Sequence, residues 1–341
     1  MSNPKASICI PSYNHARFLP AAIESALAQT FTDFEIVIVD DGSTDDSLAI
    51  AQKYSAQYPS KIRVYTHPAE PHRGLQETVN FGARMARGEY YSGLPSDDVL
   101  HPEKLRKQVE FLDSHPEIGW VYSDADYIGD DGQPINNLGI FADITRAPDP
   151  LTSLIEQNVI PGMTVLARLE CIRKVGDHEP AIAFSDWEYW VRMLGLYNVA
   201  FLDESTVSYR VHSYNTSFGA DDDVCIQRCL EVLKSLRRKA PVSQGRLASP
   251  RIQAFLDLQL GYYEFLAGNS KQARQHFRSA FKVDQTLARD PAYVANWMKR
   301  RTSNVVFTFH RRIFFEKLLG ENIVGGLVQF KRALLQKTTN L

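Results

Sequence analysis

The sequence predicts an α/β fold with a mostly parallel, mixed sheet over residues 1–220, followed by an all-α region over 221–341. Three observations carry this expectation. Through the first 130 residues, short apolar runs alternate with amphipathic segments, the pattern of βαβ units. Polar groups rich in carboxylates follow directly on several of those runs. Beyond about residue 220, after Asp221-Asp222-Asp223, the pattern is almost continuously helical.

The elements follow in order. Ser7–Ile10 is a short apolar strand. Arg17–Gln29 places Leu19, Ile23, Ala26 and Leu27 on one helical stripe. Phe34–Val39 reads as a fully buried strand. Ser43 or Thr44 can cap a helix from Asp45 to about Gln57, which Pro59 ends. Ile62–Tyr65 is a strand, Leu75–Ala86 a helix closed by Gly88, and Glu89–Leu94 a strand. Pro102–Ser114 is a helix and Trp120–Ile128 a strand. In the second region, Pro241–Pro250 is an interhelical break. Leu258–Asp284 resembles a single tetratricopeptide-like hairpin turning at Gly268-Asn269. A solenoid needs at least three such repeats, and no second copy is found.

Composition narrows the function classes. The chain has 341 residues, enough for one large or two moderate domains at ~100–200 residues each. With 38 Lys and Arg against 40 Asp and Glu, it lacks the broad basic excess of a nucleic-acid binder. The charge is divided, however. Residues 296–341 carry nine basic residues against Glu316 and Glu321, a net +7, which leaves −9 on the remainder. That segment also carries Phe307, Phe309, Ile313 and Phe314 beside Arg311 and Arg312, so it is a candidate for peripheral contact with an anionic membrane. Cys9, Cys171, Cys225 and Cys229 do not make a secreted disulfide framework. No signal peptide and no run of roughly 18 apolar residues is present, so a cytoplasmic location is expected, with the inner membrane face as the variant.

In a parallel sheet the ligand site lies at the carboxyl ends of the strands. Pro11-Ser12-Tyr13-Asn14 follows the first strand, Asp40-Asp41-Gly42-Ser43 the second and Pro95-Ser96-Asp97-Asp98 the fourth. Tyr13 offers a ring face at this edge, and Asp40, Asp41, Asp97 and Asp98 offer carboxylate oxygens, which are hydrogen-bond acceptors and hard ligands for a divalent cation. No P-loop, Gly-x-Gly-x-x-Gly or Gly-x-Ser-x-Gly pattern is present.

Taken in order, several blocks resemble the family 2 glycosyltransferases of GT-A fold. They are Ile10-Pro11-Ser12-Tyr13-Asn14, Ile38–Asp45, Asn80-Phe81-Gly82-Ala83, Ala86–Tyr90 and Ser96-Asp97-Asp98. The resemblance runs over about residues 5–215 and implies a nucleotide-sugar donor, a UDP-sugar by default, and Mg²⁺ or Mn²⁺. It implies that Pro11, Tyr13 and Asp41 recognise the base. For such a donor the Tyr13 ring can face the base, and Asp41 can accept from a base N–H and Asp40 from a ribose or base donor. Arg73, Arg84 or Arg87 could pair with diphosphate oxygens, Arg73 being the best of the three, beside Gly74. Ser96-Asp97-Asp98 stands at the family's Asp-x-Asp position, with Asp98 the metal ligand and Asp97 toward the ribose or sugar. Ser96 departs from that pattern and leaves the site with less charge. Phe184-Ser185-Asp186-Trp187 resembles the family's Glu-Asp-Trp helix start, with Asp186 at the position of the catalytic base and Glu188 as the alternative. Trp187 and Trp190 either wall the acceptor pocket or fill the core. Tyr209-Arg210-Val211-His212 resembles a strand end that closes over the donor, with His212 as a metal or phosphate contact. The loop Ile160–Thr164 is placed to meet the acceptor, expected to be a glycan or a lipid-linked glycan in cell-surface polysaccharide assembly. Two other readings stay open. A sugar nucleotidyltransferase would want a Gly-rich basic loop where Ser12-Tyr13-Asn14-His15 stands. A degenerate domain serving as a scaffold draws on Ser96 and Ser185.

Overall fold

A computed structural model describes residues 3–67, 72–135, 142–212, 222–240 and 245–284. The chain divides into two compact units. The first runs to Leu236 and includes Gly245 and Arg246; the second begins at Arg237 and resumes at Leu247. The boundary expected at 220 falls among residues outside the description.

The first unit is a mixed sheet with helices on its faces. Strands β1 (Ala6–Ser12), β2 (Phe34–Asp40), β3 (Ile62–Thr66) and β4 (Tyr90–Gly93) are parallel, with β1 between β2 and β4 and β3 at the edge. Their crossovers are α1 (Leu19–Leu27), α2 (Ser47–Gln57) and α3 (Leu75–Met85). Beyond β4 the sheet turns mixed. The short β8 (Leu166–Arg168) lies antiparallel between β4 and β6 (Ile118–Ile128), and β9 (Asn198–Arg210) runs parallel to β6. The two-residue β5 (Val99–Leu100) edges β9, and β7 (Pro134–Ile135) pairs with β6. Helices α4 (Lys104–Ser114), α5 (Pro150–Glu156), α6 (Leu169–Val175) and α7 (Ser185–Leu196) complete the covering.

Burial explains the strand patterns. Every residue of β2 is buried, as its unbroken Ile/Val run requires of a strand covered on both faces. Ile8, Ile10, Ile36 and Ile38 meet Leu19, Ile23 and Leu105 in one core. Parallel pairing points β1, β2 and β4 the same way, so their carboxyl ends, and the polar groups after them, share one edge.

Two expectations about helix ends are corrected. Ser43 and Thr44 do not cap α2: Ser43 Oγ accepts from the Asn14 N–H at 3.0 Å, and the Thr44 N–H donates to Asn14 Oδ1 at 2.7 Å. The helix begins later, at Ser47, whose N–H donates to Asp45 Oδ1 at 3.0 Å. Gly88 does not close α3 with a left-handed residue. It is needed because a Cβ there would lie 2.6 Å from the Ala6 carbonyl carbon and the Ser7 nitrogen.

The second unit is helical in its described residues. Helix α8 (Asp222–Lys239) supplies its start, and α9 (Pro250–Leu266) and α10 (Ser270–Val283) turn at Gly268, where φ is +79°. Ser249 Oγ caps α9 by accepting from the Ile252 N–H. Gly261 lets α10 approach closely, since a Cβ there would stand 2.9 Å from the Phe277 ring. Among the described residues, no helix is long and apolar enough to cross a membrane. The amphipathic basic segment proposed within 296–341 lies outside the described residues.

Candidate functional site

Asp41 is the hub of the first strand-end cluster. It follows β2, is buried, and its N–H donates to Ser12 O at 2.9 Å, tying it to the end of β1. Its carboxylate accepts from the Arg73 N–H at 2.7 Å and the Gly74 N–H at 2.9 Å. His72 Nδ1 lies 3.0 Å from Oδ2 and His67 Nε2 lies 3.5 Å from Oδ1. Gly74, with φ +86°, makes the turn that aims this loop at the carboxylate and starts α3. Tyr13, 40% exposed, stacks on His72 with centroids 4.2 Å apart. Asn14, in the left-handed region at φ 51°, sends its side chain to the Asp41 loop's far end at Thr44. Asp40 Oδ2 accepts from the Gly42 and Ser43 N–H groups at 3.1 and 2.9 Å. Its Oδ1 is buried without a hydrogen-bond partner among the described residues, as is Ser12 Oγ. Pro11 sits opposite Val39 at the end of β1.

The second cluster follows β4. Ser96 Oγ is 2.8 Å from His15 Nδ1, which joins the β1 and β4 loops. Asp98 is 1% exposed; Oδ1 accepts from the Arg210 N–H at 2.8 Å, and Oδ2 has no hydrogen-bond partner among the described residues. Burial, and then the charge of Asp97, push the Asp98 carboxyl well above the ordinary carboxylate range. Asp97 Oδ2 lies 3.0 Å from His212 Nε2, and the Arg210 guanidinium donates to Asp97 O at 2.8 Å. His212 stacks on Phe18 at 5.0 Å. The end of β9 is thus clasped onto the β4 loop, bringing Asp97, Asp98 and His212 together.

Among the described residues, no group of three or more His, Cys, Asp or Glu is arranged to hold a metal. The buried, unpartnered Asp98 Oδ2 nonetheless fits a hard divalent cation whose remaining ligands are diphosphate and water. Such a cation would also reverse the cost of ionising Asp98.

The third cluster surrounds Asp186 in the first turn of α7, where the dipole favours a carboxylate. Asn158 Nδ2 donates to Asp186 Oδ2 at 3.0 Å, and Asn158 Oδ1 accepts from the Ile160 N–H at 3.3 Å. Burial raises the Asp186 pKa, against the Trp187 N–H and Asn158, which lower it. The loop that follows Asn158 is anchored from beneath. Gln108 Nε2 donates to Thr164 O at 2.7 Å, and Ser92 Oγ of β4 donates to Val165 O at 3.0 Å. Asn158 is the residue that sequence patterns missed; it lies in no motif, and only the fold brings it 28 positions to Asp186.

Other candidate residues have structural partners. Glu188 is fully buried, holds Arg192 Nε at 2.9 Å and accepts from Ser235 Oγ, so it is a structural ion pair and not an alternative base. Arg84 pairs with Glu77 and Asp177, and Arg87 with the buried Glu35. Neither is directed at a phosphate. Arg73 joins the site through its backbone N–H to Asp41. Trp187 is core, donating from Nε1 to Leu154 O at 2.6 Å. Trp190 stacks on Trp120 at 5.5 Å, with Gly162 against its ring.

Comparisons with known proteins bear on the family and the fold. The model of the family described as Glycosyl transferase family 2 matches residues 7–168. An uncharacterized glycosyltransferase of Nostoc sp., alr2836, is 34% identical over 230 residues, which cover 63% of this chain and 67% of that protein. The chain spans only 35% of a longer relative from Rickettsia felis. S. aureus TarS, solved with UDP-GlcNAc, aligns over 82% of this chain and 81% of its own at 17% identity and a TM-score of 0.60. The mannosyltransferase PcManGT of Pyrobaculum calidifontis, solved with GDP-Man and Mn²⁺, aligns over 92% and 83% at 15% identity and a TM-score of 0.54. At these identities the likeness to the two structures is one of fold, the GT-A type.

Proposed function

Because the chain belongs to glycosyl transferase family 2, we propose that it is an inverting, metal-dependent glycosyltransferase. It moves a sugar from a nucleotide-sugar donor to a hydroxyl of a glycan or lipid-linked acceptor, in the assembly of a cell-surface polysaccharide. The observation that carries this reading is the buried Asp98, with one oxygen unpartnered, clasped beside Asp97 and His212 on the same sheet edge as Tyr13 and Asp41.

Tyr13 and Asp41 hold the base, Asp40 a ribose or base donor, and Asp97 the ribose or sugar. Mg²⁺ or Mn²⁺ held by Asp98, with His212 as a further contact, would offset the charge on the departing diphosphate. Asp186 takes the proton from the acceptor hydroxyl as its oxygen bonds to the anomeric carbon. The bond from that carbon to the diphosphate breaks in the same displacement, so the configuration inverts and nucleoside diphosphate leaves. Asn158 holds one carboxylate oxygen of Asp186 and so orients the carboxylate. Arg73, exposed beside Gly74, is proposed to pair with the diphosphate. The basic segment at 296–341 is proposed to bring the enzyme to the inner face of the cytoplasmic membrane, where a lipid-linked acceptor would lie.

The test is nucleotide release from a panel of UDP- and GDP-sugars with Mn²⁺, comparing wild type with Asp186→Asn and Asp98→Ala. Both variants are expected to lose transfer, and Asp98→Ala also to lose metal-dependent donor binding. Undiminished transfer in both overturns the assignment.

A further inference from the structure

We infer that His72 is a built-in competitor for the donor's base: its imidazole lies on the Tyr13 ring face and the Asp41 carboxylate that the base would use. The inference rests on the base-site reading of Tyr13 and Asp41 and goes beyond it.

Two independent contacts place the ring there. His72 covers the Tyr13 ring at a centroid separation of 4.2 Å and an interplanar angle of 30°. A base slipped between the two rings would need roughly twice that separation, so base and imidazole cannot share that face of Tyr13. At the same time, Nδ1 stands 3.0 Å from Asp41 Oδ2. A ring face on a tyrosine and a ring nitrogen on a carboxylate are the two contacts that a base with a ring N–H, such as uracil or guanine, would make here.

The carboxylate has little capacity to spare. The Arg73 and Gly74 N–H groups already donate to it at 2.7 and 2.9 Å. Those donors belong to the backbone that leads into α3 and cannot leave without unmaking the helix start. The His72 side chain is different, being 54% exposed and removable by rotation about its own χ1. The geometry therefore assigns His72 as the group that yields. Its cost enters as a population factor: the apparent donor Kd equals the intrinsic Kd divided by the fraction of molecules with His72 turned out.

The experiment uses the full chain and has two arms. Titration calorimetry with UDP and GDP, each with Mn²⁺, compares wild type, His72→Ala and Tyr13→Ala. His72→Ala is expected to tighten binding of the preferred nucleotide at least three-fold, and Tyr13→Ala to weaken it. Proton NMR of the nucleotide-free chain reads the stack directly. The His72 ring signals, assigned by their absence in His72→Ala, are expected to lie upfield through the Tyr13 ring current. They should relax in Tyr13→Ala and on adding nucleotide. Unchanged or weaker binding by His72→Ala would make His72 a wall of the site and overturn the inference while leaving the base site standing. An unshifted His72 signal in the free chain overturns it too. If neither UDP nor GDP binds wild type or His72→Ala, the base-site reading falls and takes the inference with it.

Discussion

At the scale of single residues, Asp186 is held between opposed effects. Burial disfavours its charge, while the Trp187 N–H and the Asn158 amide favour it, and burial prevails. A base acts only when ionised, so the acid limb of kcat/KM is expected above the ~3.9 of a free aspartate. Asn158→Ala removes a donor to the charged form and should move that limb to higher pH; a shift to lower pH would contradict the arrangement. The sign for stability is the reverse of a paired carboxylate's. With its folded pKa raised, Asp186 binds more protons folded than unfolded, so its contribution falls as pH rises through that window. Asp186→Asn should therefore cost ~10²–10⁴-fold in transfer while leaving the melting temperature at neutral pH unchanged or higher. A parallel loss of both would mark Asp186 as a helix cap. The identities of Asp41, Asp97, Asp98 and Asp186 were legible because each sits in an ordered motif. The distant partners of Arg84 and Arg87 were not, because Asp177 lies 93 positions from Arg84 and Glu35 lies 52 from Arg87.

At the scale of elements, α4 shows what periodicity cannot reveal. Lys104 reads as a surface lysine at a helix start, yet it is fully buried and donates to Ser92 Oγ and Gln108 Oε1 at 2.8 Å each. Burial, with only neutral oxygens accepting from its ammonium, pulls its pKa down to about 7. Between that value and the unfolded 10.5, the unfolded chain binds more protons, so this group makes stability rise with pH. Lys104→Met should flatten the rise in unfolding free energy between pH 7 and 8.5, measured by denaturant titration; an unchanged slope would show that Lys104 keeps its proton. Gly88 belongs to the same scale. Gly88→Ala would force a methyl against the β1 backbone and should cost ~1–3 kcal/mol, read from the same titrations. The parallel strands β1 to β4 were legible because each is a run of apolar residues bounded by turns. Strands β5 and β8 were not, since two or three residues carry no period, and their places are set by partners in β9, β4 and β6.

At the scale of the whole molecule, the two units are held by different means. The first is organised by a sheet whose parallel crossovers deliver carboxylates to one edge. The second has a polar centre: Asp257 on α9 accepts from Arg237 of α8 at 3.1 Å and Ser279 of α10 at 2.6 Å, with His276 Nδ1 at 3.1 Å. The hydrogen bonds hold Asp257 below the ordinary carboxylate range despite its burial. The charge division cuts across this architecture. A near-zero total hides −9 on residues 1–295 and +7 on 296–341, and like charges confined to one segment act together on an anionic surface. Each Lys or Arg near such a surface contributes about 1 kcal/mol, and the effect decays within a Debye length, ~10 Å at 0.1 M salt and ~3 Å at 1 M. The full chain should therefore cosediment with vesicles containing phosphatidylglycerol and not with pure phosphatidylcholine, and should be released as salt is raised. Replacing Arg300, Arg301, Arg311 and Arg312 by Glu reverses the sign of that segment's charge and should abolish cosedimentation while leaving nucleotide binding intact. Binding to both vesicle types that resists salt would mean the apolar residues alone hold the membrane. No binding to either would remove membrane docking from the proposed function and leave the +7 as a solvated surface.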